Sequence, residues 1–214
     1  MLKHSKLFIV FVPALLIVGI ALFIQITRYT PLLPDFNPAT AEEQKEFIIP
    51  ILPTDPIVGE KSAPITLVAF EDYACAGCQT QNIIFTSLEE QYPGRVKLIW
   101  KGLPVTQFPF PSQTAHQYAY CANKQKKFAE FKEFAFLNGQ NLSPGVLDSI
   151  SEQIELDIEK LQTCLAEPGV DEYIAHVESL AQILQIQSVP TFFRDNKQIQ
   201  HPQTLEGWVN LLQL

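Results

Sequence analysis

Cysteine, histidine and basic residues are scarce in this chain of 214 residues. It has four cysteines and four histidines, and 15 lysines and arginines stand against 23 aspartates and glutamates, for a formal net charge of −8. A chain this acidic repels phosphate backbones, so we expect no nucleic-acid partner. The sequence also has no internal repeat and no low-complexity tract, and its 47% of hydrophobic residues is enough for one good-sized core.

Two of the four cysteines stand close together in the stretch Cys75-Ala76-Gly77-Cys78, shortly after the apolar run at residues 65–70. That run is short and apolar enough to be a buried strand, which places the cysteines at a junction between a strand and a helix. The first turn of a helix leaves backbone N–H groups unpaired and carries positive partial charge, so a thiolate at Cys75 is favoured there. A thiol with a lowered pKa is a nucleophile or redox centre, and the motif therefore predicts thiol–disulfide exchange.

A C-x-x-C pair can also be half of a structural zinc site, or have no chemical role. The remaining cysteines, Cys121 and Cys164, stand alone, and no second C-x-x-C or H-x-x-x-H completes a tetrahedral set at the usual spacing. We therefore expect neither a metal nor a cofactor. His116 lies near Cys121 in sequence, but lone histidines are mostly surface or core residues, and we assign no histidine a catalytic role.

A second motif lies far downstream, where Ser-Val-Pro-Thr-Phe-Phe at residues 188–193 leads into another apolar strand. Together with the dithiol it resembles the thioredoxin superfamily, in which a cis-proline loop packs beside two cysteines. The resemblance narrows to the DsbA family of oxidoreductases and covers about residues 56–214. Three further features carry this narrower match: residues 59–64, residues 71–73, and the pair 121–122 with the pair 127–128.

The resemblance implies a role for each active-site residue. Cys75 would be the exposed attacking sulfur and Cys78 the buried resolving sulfur, while Pro190 would hold the facing backbone for the substrate. We expect a cis bond between Val189 and Pro190, since cis bonds are essentially confined to proline. The resemblance also implies protein substrates that carry thiols, and a membrane redox partner of the DsbB or vitamin K epoxide reductase type.

The two remaining cysteines have two possible states. Cys121 and Cys164 could be inert thiols of the core, as buried cysteines often are. In an oxidising compartment an even number of cysteines favours pairing, and related proteins carry a second disulfide in the helical region. We therefore expect a structural disulfide between them.

The succession of apolar patterns predicts an α/β fold with a run of helices before the last strands, and the resemblance implies that this is a thioredoxin-like fold with a helical insertion. Residues 65–70 and 96–101 read as parallel strands of a βαβ unit, whose carboxyl ends meet at one edge of the sheet. Cys75 and Lys101 should then be neighbours at the edge where chemistry belongs. Lys101 could favour the thiolate, although a merely solvated lysine is the simpler interpretation. The helical insertion is expected at about residues 112–187.

Ahead of this domain the sequence predicts an anchor and a linker. The apolar stretch at residues 7–24 follows two lysines and predicts an uncleaved membrane helix, with residues 1–26 as cytoplasmic tip and anchor; a cleaved signal peptide is the alternative. Residues 27–56 are rich in proline and read as a linker to the domain at residues 57–214. The catalytic domain would then lie outside the cytoplasm, in the periplasm or at the cell surface, where disulfides persist.

The dipeptide between the cysteines departs from the DsbA pattern, in which proline commonly follows the first cysteine and histidine often comes next. Ala76 and Gly77 supply neither, and Glu71 and Asp72 should oppose a thiolate. We therefore expect a milder oxidant than DsbA, with a reduction potential between the roughly −270 mV of thioredoxin and −120 mV of DsbA.

These features together predict a membrane-tethered, extracytoplasmic oxidoreductase that introduces disulfides into secreted or envelope proteins. Two other functions stay open. The same fold could serve a reductase or isomerase kept reduced by a membrane donor, and the helical region could instead serve a non-redox chaperone that holds peptides. The redox state of Cys75 and Cys78 in the cell distinguishes an oxidase from a reductase or isomerase.

Overall fold

A computed structural model describes residue 13, residues 15–25 and residues 47–214 of the chain. The chain divides into two compact units, with the boundary between Glu46 and Phe47. In the first unit, residues 15–25 form helix α1. None of the helices in the described ranges is both long and apolar enough to cross a membrane. The anchor predicted at residues 7–24 falls partly outside these ranges, as does most of the linker predicted at residues 27–56.

The second unit is built on a mixed sheet of five strands in the order β1-β3-β2-β4-β5. Its strands are β1 (Ile57–Val58), β2 (Ile65–Glu71), β3 (Val96–Gly102), β4 (Thr191–Arg194) and β5 (Lys197–Ile199). Strands β2 and β3 run parallel, as a βαβ unit requires, and the other pairs are antiparallel. The β4–β5 hairpin turns through Asp195 and Asn196, which have φ of 51° and 62°. Short polar residues tolerate these left-handed values best, which suits a two-residue hairpin turn.

Seven helices pack around the sheet in the described part of this unit. They are α2 (Ala76–Gln91), α3 (Gln113–Lys124), α4 (Phe128–Leu137), α5 (Pro144–Gln153), α6 (Ile158–Leu165), α7 (Pro168–Ile183) and α8 (Leu205–Leu212). Helix α2 connects the two parallel strands, and α3 to α7 form the helical insertion between β3 and β4, close to the predicted bounds. Proline begins α5 and α7 at positions where the helix needs no backbone N–H.

The sheet separates two hydrophobic clusters because side chains alternate along a strand. Leu98 and Trp100 of β3 lie in the larger cluster, with residues of helices α2 to α6 and α8 and with Val170 at the start of α7. Ile99 lies in the smaller cluster on the other face, together with Phe70 and the α7 residue Val177. The two faces therefore differ in what covers them, and this alternation decides which side chains can reach the dithiol.

The segment just before β1 packs onto the domain. Ile49 is buried in the smaller cluster, and its N–H donates a 2.9 Å hydrogen bond to the Oδ1 atom of Asn196. Asp55 is also buried. Ile49 and Asp55 thus hold this segment on the globular unit, whereas Phe47, Ile48 and Ile51 are exposed. The linker predicted over residues 27–56 stays a prediction.

A disulfide joins Cys121 of α3 to Cys164 of α6 across 43 residues of sequence. Closing a loop of this size in the unfolded chain corresponds to about 4 kcal/mol of stabilisation in the chain-entropy account. The bond therefore fastens α6 to α3 inside the helical insertion.

Candidate active site

The dithiol lies at the start of helix α2. Cys75 is the N-cap residue, and its sulfur accepts a hydrogen bond from the backbone N–H of Cys78 at 3.2 Å. Cys75 is half-buried and Cys78 is fully buried, and both are free thiols. The sulfur of Cys78 accepts a longer contact, 3.5 Å, from the N–H of Asp72. The N-terminus of α2 thus leaves Cys75 partly accessible to solvent and keeps Cys78 buried.

The two thiols differ strongly in acidity. The pKa of Cys75 is lowered to about 7, first by the hydrogen bond from the Cys78 side chain and then by the N–H groups of Cys78 and Gly77, while burial and Asp72 oppose the shift. The pKa of Cys78 is raised far above its usual range by burial, by Cys75 and by Glu71. Cys75 is therefore the sulfur that carries the thiolate near neutral pH, and Cys78 keeps its proton.

The proline loop before β4 packs directly on the dithiol. The bond between Val189 and Pro190 is cis. The Val189 carbonyl oxygen lies 3.5 Å from the Cys75 sulfur, within reach of a hydrogen bond from the thiol. A Cβ atom added to Gly77 would lie 3.1 Å from Pro190 Cδ and 3.8 Å from the Cys75 sulfur. The absence of a side chain at Gly77 therefore lets the proline loop approach the first turn of α2 closely.

Asp72 connects the dithiol to the loop that follows β3. Its carboxylate accepts hydrogen bonds from the N–H groups of Val105 and Thr106, at 3.0 and 2.8 Å, and from the Ser112 hydroxyl at 3.0 Å. The other carboxylate oxygen lies 3.3 Å from Nε2 of His116. Burial alone would raise the pKa of Asp72, but these donors outweigh burial and hold the pKa well below its usual range.

A family model described as Thioredoxin matches residues 52–213, which include the dithiol, the proline loop and the whole helical insertion. The chain belongs to the thioredoxin family. Membership in this family fits the observed sheet, the helix that begins at Cys75 and the cis-proline loop beside it.

Solved structures of the thioredoxin family extend the likeness. A thioredoxin-like oxidoreductase from Silicibacter pomeroyi DSS-3 is 25% identical with a TM-score of 0.63, and the match covers 75% of this chain and 91% of that one. The thiol-disulfide exchange protein alpha-DsbA2 from Wolbachia pipientis has a TM-score of 0.66 at 18% identity, covering 75% and 86% of the two chains. The predicted membership in the thioredoxin superfamily is thereby confirmed, and these solved structures share its fold.

A curated relative is much longer than this thioredoxin-family chain. The Na(+)/H(+) antiporter NhaA 3 of Salinispora tropica is 26% identical over 163 residues, which cover 76% of this chain and 25% of the antiporter. The chain therefore spans about a quarter of the length of the curated relatives it matches, and no transport activity follows from the likeness.

Lys101 does not lie where the sequence predicts it. Its ammonium is fully buried, 2.5 Å from the Oδ2 atom of Asp55, and it donates a 2.9 Å hydrogen bond to the carbonyl of Pro50. Lys101 follows Ile99 by two residues on β3 and so points to the same face, away from α2. The prediction that Lys101 neighbours Cys75 is wrong because a strand end fixes the edge of the sheet but not the face.

Two buried charged side chains lie near Cys78: Glu71, which the sequence analysis singled out, and Lys132, which it did not. Glu71 accepts a 2.9 Å hydrogen bond from the Trp100 indole, and its pKa is raised by burial, against the opposing charge of Lys132. Lys132 is also buried, and its pKa is lowered by burial. A signal for Lys132 does exist, because it shares the apolar stripe of α4 with Phe128 and Ala135.

No group of three or more His, Cys, Asp or Glu side chains in residues 13, 15–25 and 47–214 is arranged to hold a metal ion. His116 contacts Asp72 through one ring nitrogen, while its Nδ1 atom has no hydrogen-bond partner. The histidine stacks on Trp100 with ring centroids 5.4 Å apart. His116 is therefore a buried packing residue that contacts Asp72 and Trp100.

We expect Asp72→Asn to lower the free energy of unfolding by about 2–4 kcal/mol at pH 7, because the buried N–H donors lose an ionised acceptor. The folded-state pKa of Asp72 is lowered, so its stabilisation is full above the unfolded pKa of about 3.9 and is lost as pH falls below it. Urea denaturation at pH 7 and pH 3 should show the difference from wild type shrinking by about 1 kcal/mol.

Asp148→Asn is the matched control, since Asp148 accepts one hydrogen bond, from the Tyr118 hydroxyl at a partly buried site. Its effect should be smaller at pH 7. An equal loss for Asp72→Asn at both pH values would contradict an ionised Asp72 in the folded protein.

Proposed function

We propose that this protein is an extracytoplasmic oxidoreductase that forms disulfides in exported proteins, with Cys75 and Cys78 as its redox-active pair. The asymmetry of the two thiols carries the proposal. Cys75 is accessible, has a pKa of about 7 and faces the Val189 carbonyl, whereas Cys78 is buried and its pKa is raised. Such a pair offers one sulfur to substrates and keeps the other for closing the disulfide.

The exchange proceeds from the oxidised enzyme, in which the two sulfurs are bonded. A substrate thiolate attacks the Cys75 sulfur, the bond to Cys78 breaks, and its electron pair goes to Cys78, which takes a proton. A second thiolate of the substrate then attacks the substrate sulfur of the mixed disulfide. The product disulfide leaves, the Cys75 thiolate is released, and the substrate has passed two electrons to the enzyme.

The helix end and the proline loop have separate roles in these steps. The N–H groups of Cys78 and Gly77 stabilise the Cys75 thiolate as it leaves. The backbone at Val189 and Pro190 lies against Cys75 and would align an extended substrate segment beside the sulfur. An extended chain pairs well with exposed backbone of this kind.

The pKa of Cys75 also supports a moderate oxidising power. A value of about 7 is close to that of thioredoxin's cysteine and far above the roughly 3.5 of DsbA. A less stabilised thiolate means a less stable reduced form, so we propose a reduction potential between those of thioredoxin and DsbA. Equilibration with glutathione buffers measures it, and a value at the DsbA end would contradict the proposal.

Location and partner belong to the same proposal. The Cys121–Cys164 disulfide supports an oxidising compartment. The apolar stretch at residues 7–24, part of which is helix α1, would anchor the domain to the membrane, with the preceding lysines on the cytoplasmic side. A membrane quinone-linked protein of the DsbB or vitamin K epoxide reductase type would reoxidise the pair.

The test is oxidation of a reduced, unfolded protein such as ribonuclease by the full chain in its oxidised form. We expect the recovery of native disulfides with the wild type and none with Cys75→Ser. Trapping the thiols in the native host should find Cys75 and Cys78 mostly oxidised. A reduced pair would favour the reductase or isomerase, and no exchange by the wild type would favour the peptide-binding chaperone.

A further inference from the structure

Helices α2 and α4 border an open groove on the surface of the second unit. Two cavities lie along it, of about 160 Å³ and about 330 Å³. They adjoin each other, because Thr86 and Glu133 line both. The α2 side of the groove begins at Gln79, one turn after Cys75, and ends at Glu90. The groove therefore leads away from the dithiol along α2 for about 16 Å, the length of three helical turns.

The end of the groove near the dithiol is apolar. Ile83 of α2 is 60% exposed and Leu137 of α4 is 65% exposed, and both line the smaller cavity together with the buried ring of Phe136. One exposed isoleucine or leucine is ordinary in a folded protein. Two of them on adjoining helices, lining one cavity, form a continuous apolar patch of the kind that marks an interaction surface.

The far end of the groove is acidic. Glu90 of α2 and Glu133 of α4 are exposed, and both line the groove. In the part of the chain that the structure describes, neither carboxylate forms an ion pair. The lysine nearest to them in sequence, Lys132, is buried and hydrogen-bonded to Asn82. Two carboxylates therefore stay available for cations that another molecule brings.

The charge of the groove disfavours two occupants that the chain itself could supply. A second copy of the protein is acidic, with a formal net charge of −8. Residues 35–46, which precede the second unit, carry four acidic residues against one lysine. Both would bring like charges to Glu90 and Glu133, and like charges that meet in an interface weaken it. A basic partner is the occupant that complements this rim.

The sides of the groove favour a helix over an extended segment. Both sides are helices, whose backbone groups are already bonded internally, so the groove has no strand edge with which an extended chain could pair. A helix satisfies its own backbone and can pack its side chains between those of two neighbouring helices. The residues of α2 that line the groove also repeat at the spacing of a single helix face: Gln79, Ile83, Thr86 and Glu90.

We propose that the groove between α2 and α4 is a docking site for a basic amphipathic helix of a partner protein. The apolar residues of that helix cover Ile83 and Leu137, and its lysines or arginines pair with Glu90 and Glu133. Because the apolar end of the groove is the end nearer to Cys75, the bound helix lies with its apolar end toward the dithiol. The inference goes beyond the proposed function and does not depend on it.

The test uses a synthetic helical peptide of about 14 residues, long enough to fill the groove. One face of this probe carries leucines toward one end and lysines toward the other, and its binding to the full chain is measured by titration calorimetry. We expect binding that weakens as salt is added, since the paired charges are exposed. A second probe with glutamates in place of the lysines, and a third with the same residues in scrambled order, should each bind at least about tenfold more weakly.

Two variants locate the apolar contact. Ile83→Gln and Leu137→Gln should each weaken binding of the first probe about tenfold, because each removes an apolar side chain that the probe buries. Ile183→Gln is the matched control, since Ile183 is a 63% exposed isoleucine at the end of α7, and it should leave binding unchanged. Every variant keeps the same N-terminal segment, so any probe bound to that segment contributes equally to all of them.

A third variant tests the acidic rim. Glu90→Gln combined with Glu133→Gln should weaken binding of the first probe about 3- to 10-fold at low salt and should flatten its salt dependence. Glu178→Gln, which changes an exposed glutamate of α7, is the matched control and should have no effect.

The orientation of the bound helix is tested with a cysteine at one end of the probe, activated as a pyridyl disulfide. The Cys75 thiolate of the reduced full chain attacks the peptide sulfur, and pyridine-2-thiol leaves and is followed by its absorbance. The reaction should be about tenfold faster with the cysteine at the apolar end than at the basic end, because that end is held near Cys75. Ile83→Gln should remove this difference but leave the reaction with dithiodipyridine, which has no peptide, unchanged.

Equal binding of the first probe to the wild type, Ile83→Gln and Leu137→Gln would overturn the inference, as would equal binding of the three probes. A dimer of the full chain that Ile83→Gln dissociates would also overturn it, because the groove would then bind a second copy. The comparison of probes needs no variant and decides the matter even where a variant does not fold. The proposed function is tested separately: it fails if the wild type does not oxidise substrate thiols, whether or not the probe binds.

Discussion

Lys101→Met is expected to lower the free energy of unfolding by about 3–5 kcal/mol, the range found when one partner of a buried ion pair is removed. Both side chains of the Lys101–Asp55 pair are fully buried, with 2.5 Å between ammonium and carboxylate. Without Lys101, Asp55 keeps hydrogen bonds from Tyr173 and from the Leu52 N–H, but its charge stays buried with no cation. The loss should also release the segment before β1 from the sheet.

Urea denaturation of the wild type and variants measures this effect. Lys124→Met is the matched control, because Lys124 forms a 2.7 Å pair with Glu167 at an exposed site, where the loss should stay below about 1 kcal/mol. The double variant Lys101→Met, Asp55→Leu should recover much of the stability, since apolar groups can replace a buried pair. A loss below about 1 kcal/mol for Lys101→Met alone would contradict the importance of the pair.

The same variant decides whether Lys101 influences the dithiol. Lys101 points to the face of the sheet opposite α2, and no contact links it to the Cys75 sulfur. We therefore expect the pKa of Cys75, followed by thiolate absorbance, to stay at about 7 in Lys101→Met. A rise of the Cys75 pKa in this variant would show that Lys101 stabilises the Cys75 thiolate, as its position at the end of a strand suggests.

Local patterns account for what the sequence could predict. The apolar run at residues 65–70 predicts a strand that ends shortly before Cys75, so the dithiol is expected at the junction with the next helix. Val189-Pro190 ahead of another apolar strand predicts the proline loop beside the dithiol. The bounds of β2 and β3 follow equally from short runs of apolar residues. In each case the residues that predict the element lie within about ten positions of one another, which is the range over which hydrophobic periodicity and helix capping act.

The surroundings of the dithiol were harder to predict because they depend on distant partners. Which face Lys101 takes follows from the register of β3 rather than from its place at a strand end. Asp72 shows its role only when Val105, Ser112 and His116 come from a loop and a helix of the insertion. Lys132 breaks an apolar stripe, yet only the packed structure shows that its partner is Asn82 on α2.

Cys78→Ala should abolish disulfide formation and also weaken Cys75 as a nucleophile. Without the second sulfur the enzyme cannot form its internal disulfide and so cannot oxidise substrate thiols. Its Cys75 thiolate can still attack a disulfide of a substrate, releasing one substrate thiolate, and should stay trapped as a mixed disulfide because no second sulfur resolves it. The largest contribution to the lowered pKa of Cys75 is the hydrogen bond from the Cys78 side chain. Its removal should raise the pKa of Cys75 from about 7 toward the roughly 8.5 of a free thiol.

Alkylation of Cys75 by iodoacetamide across pH separates these two effects. At pH 7 the reaction should be about tenfold slower in Cys78→Ala, because the thiolate fraction falls with the rise in pKa. Cys78→Ser is the matched control: its hydroxyl can still donate to Cys75, so the lowered pKa should largely persist although disulfide formation is lost. If alanine and serine at this position give Cys75 the same pKa, the thiolate owes its stability to the backbone N–H groups of the helix end, and the side chain of Cys78 serves only in resolving the mixed disulfide.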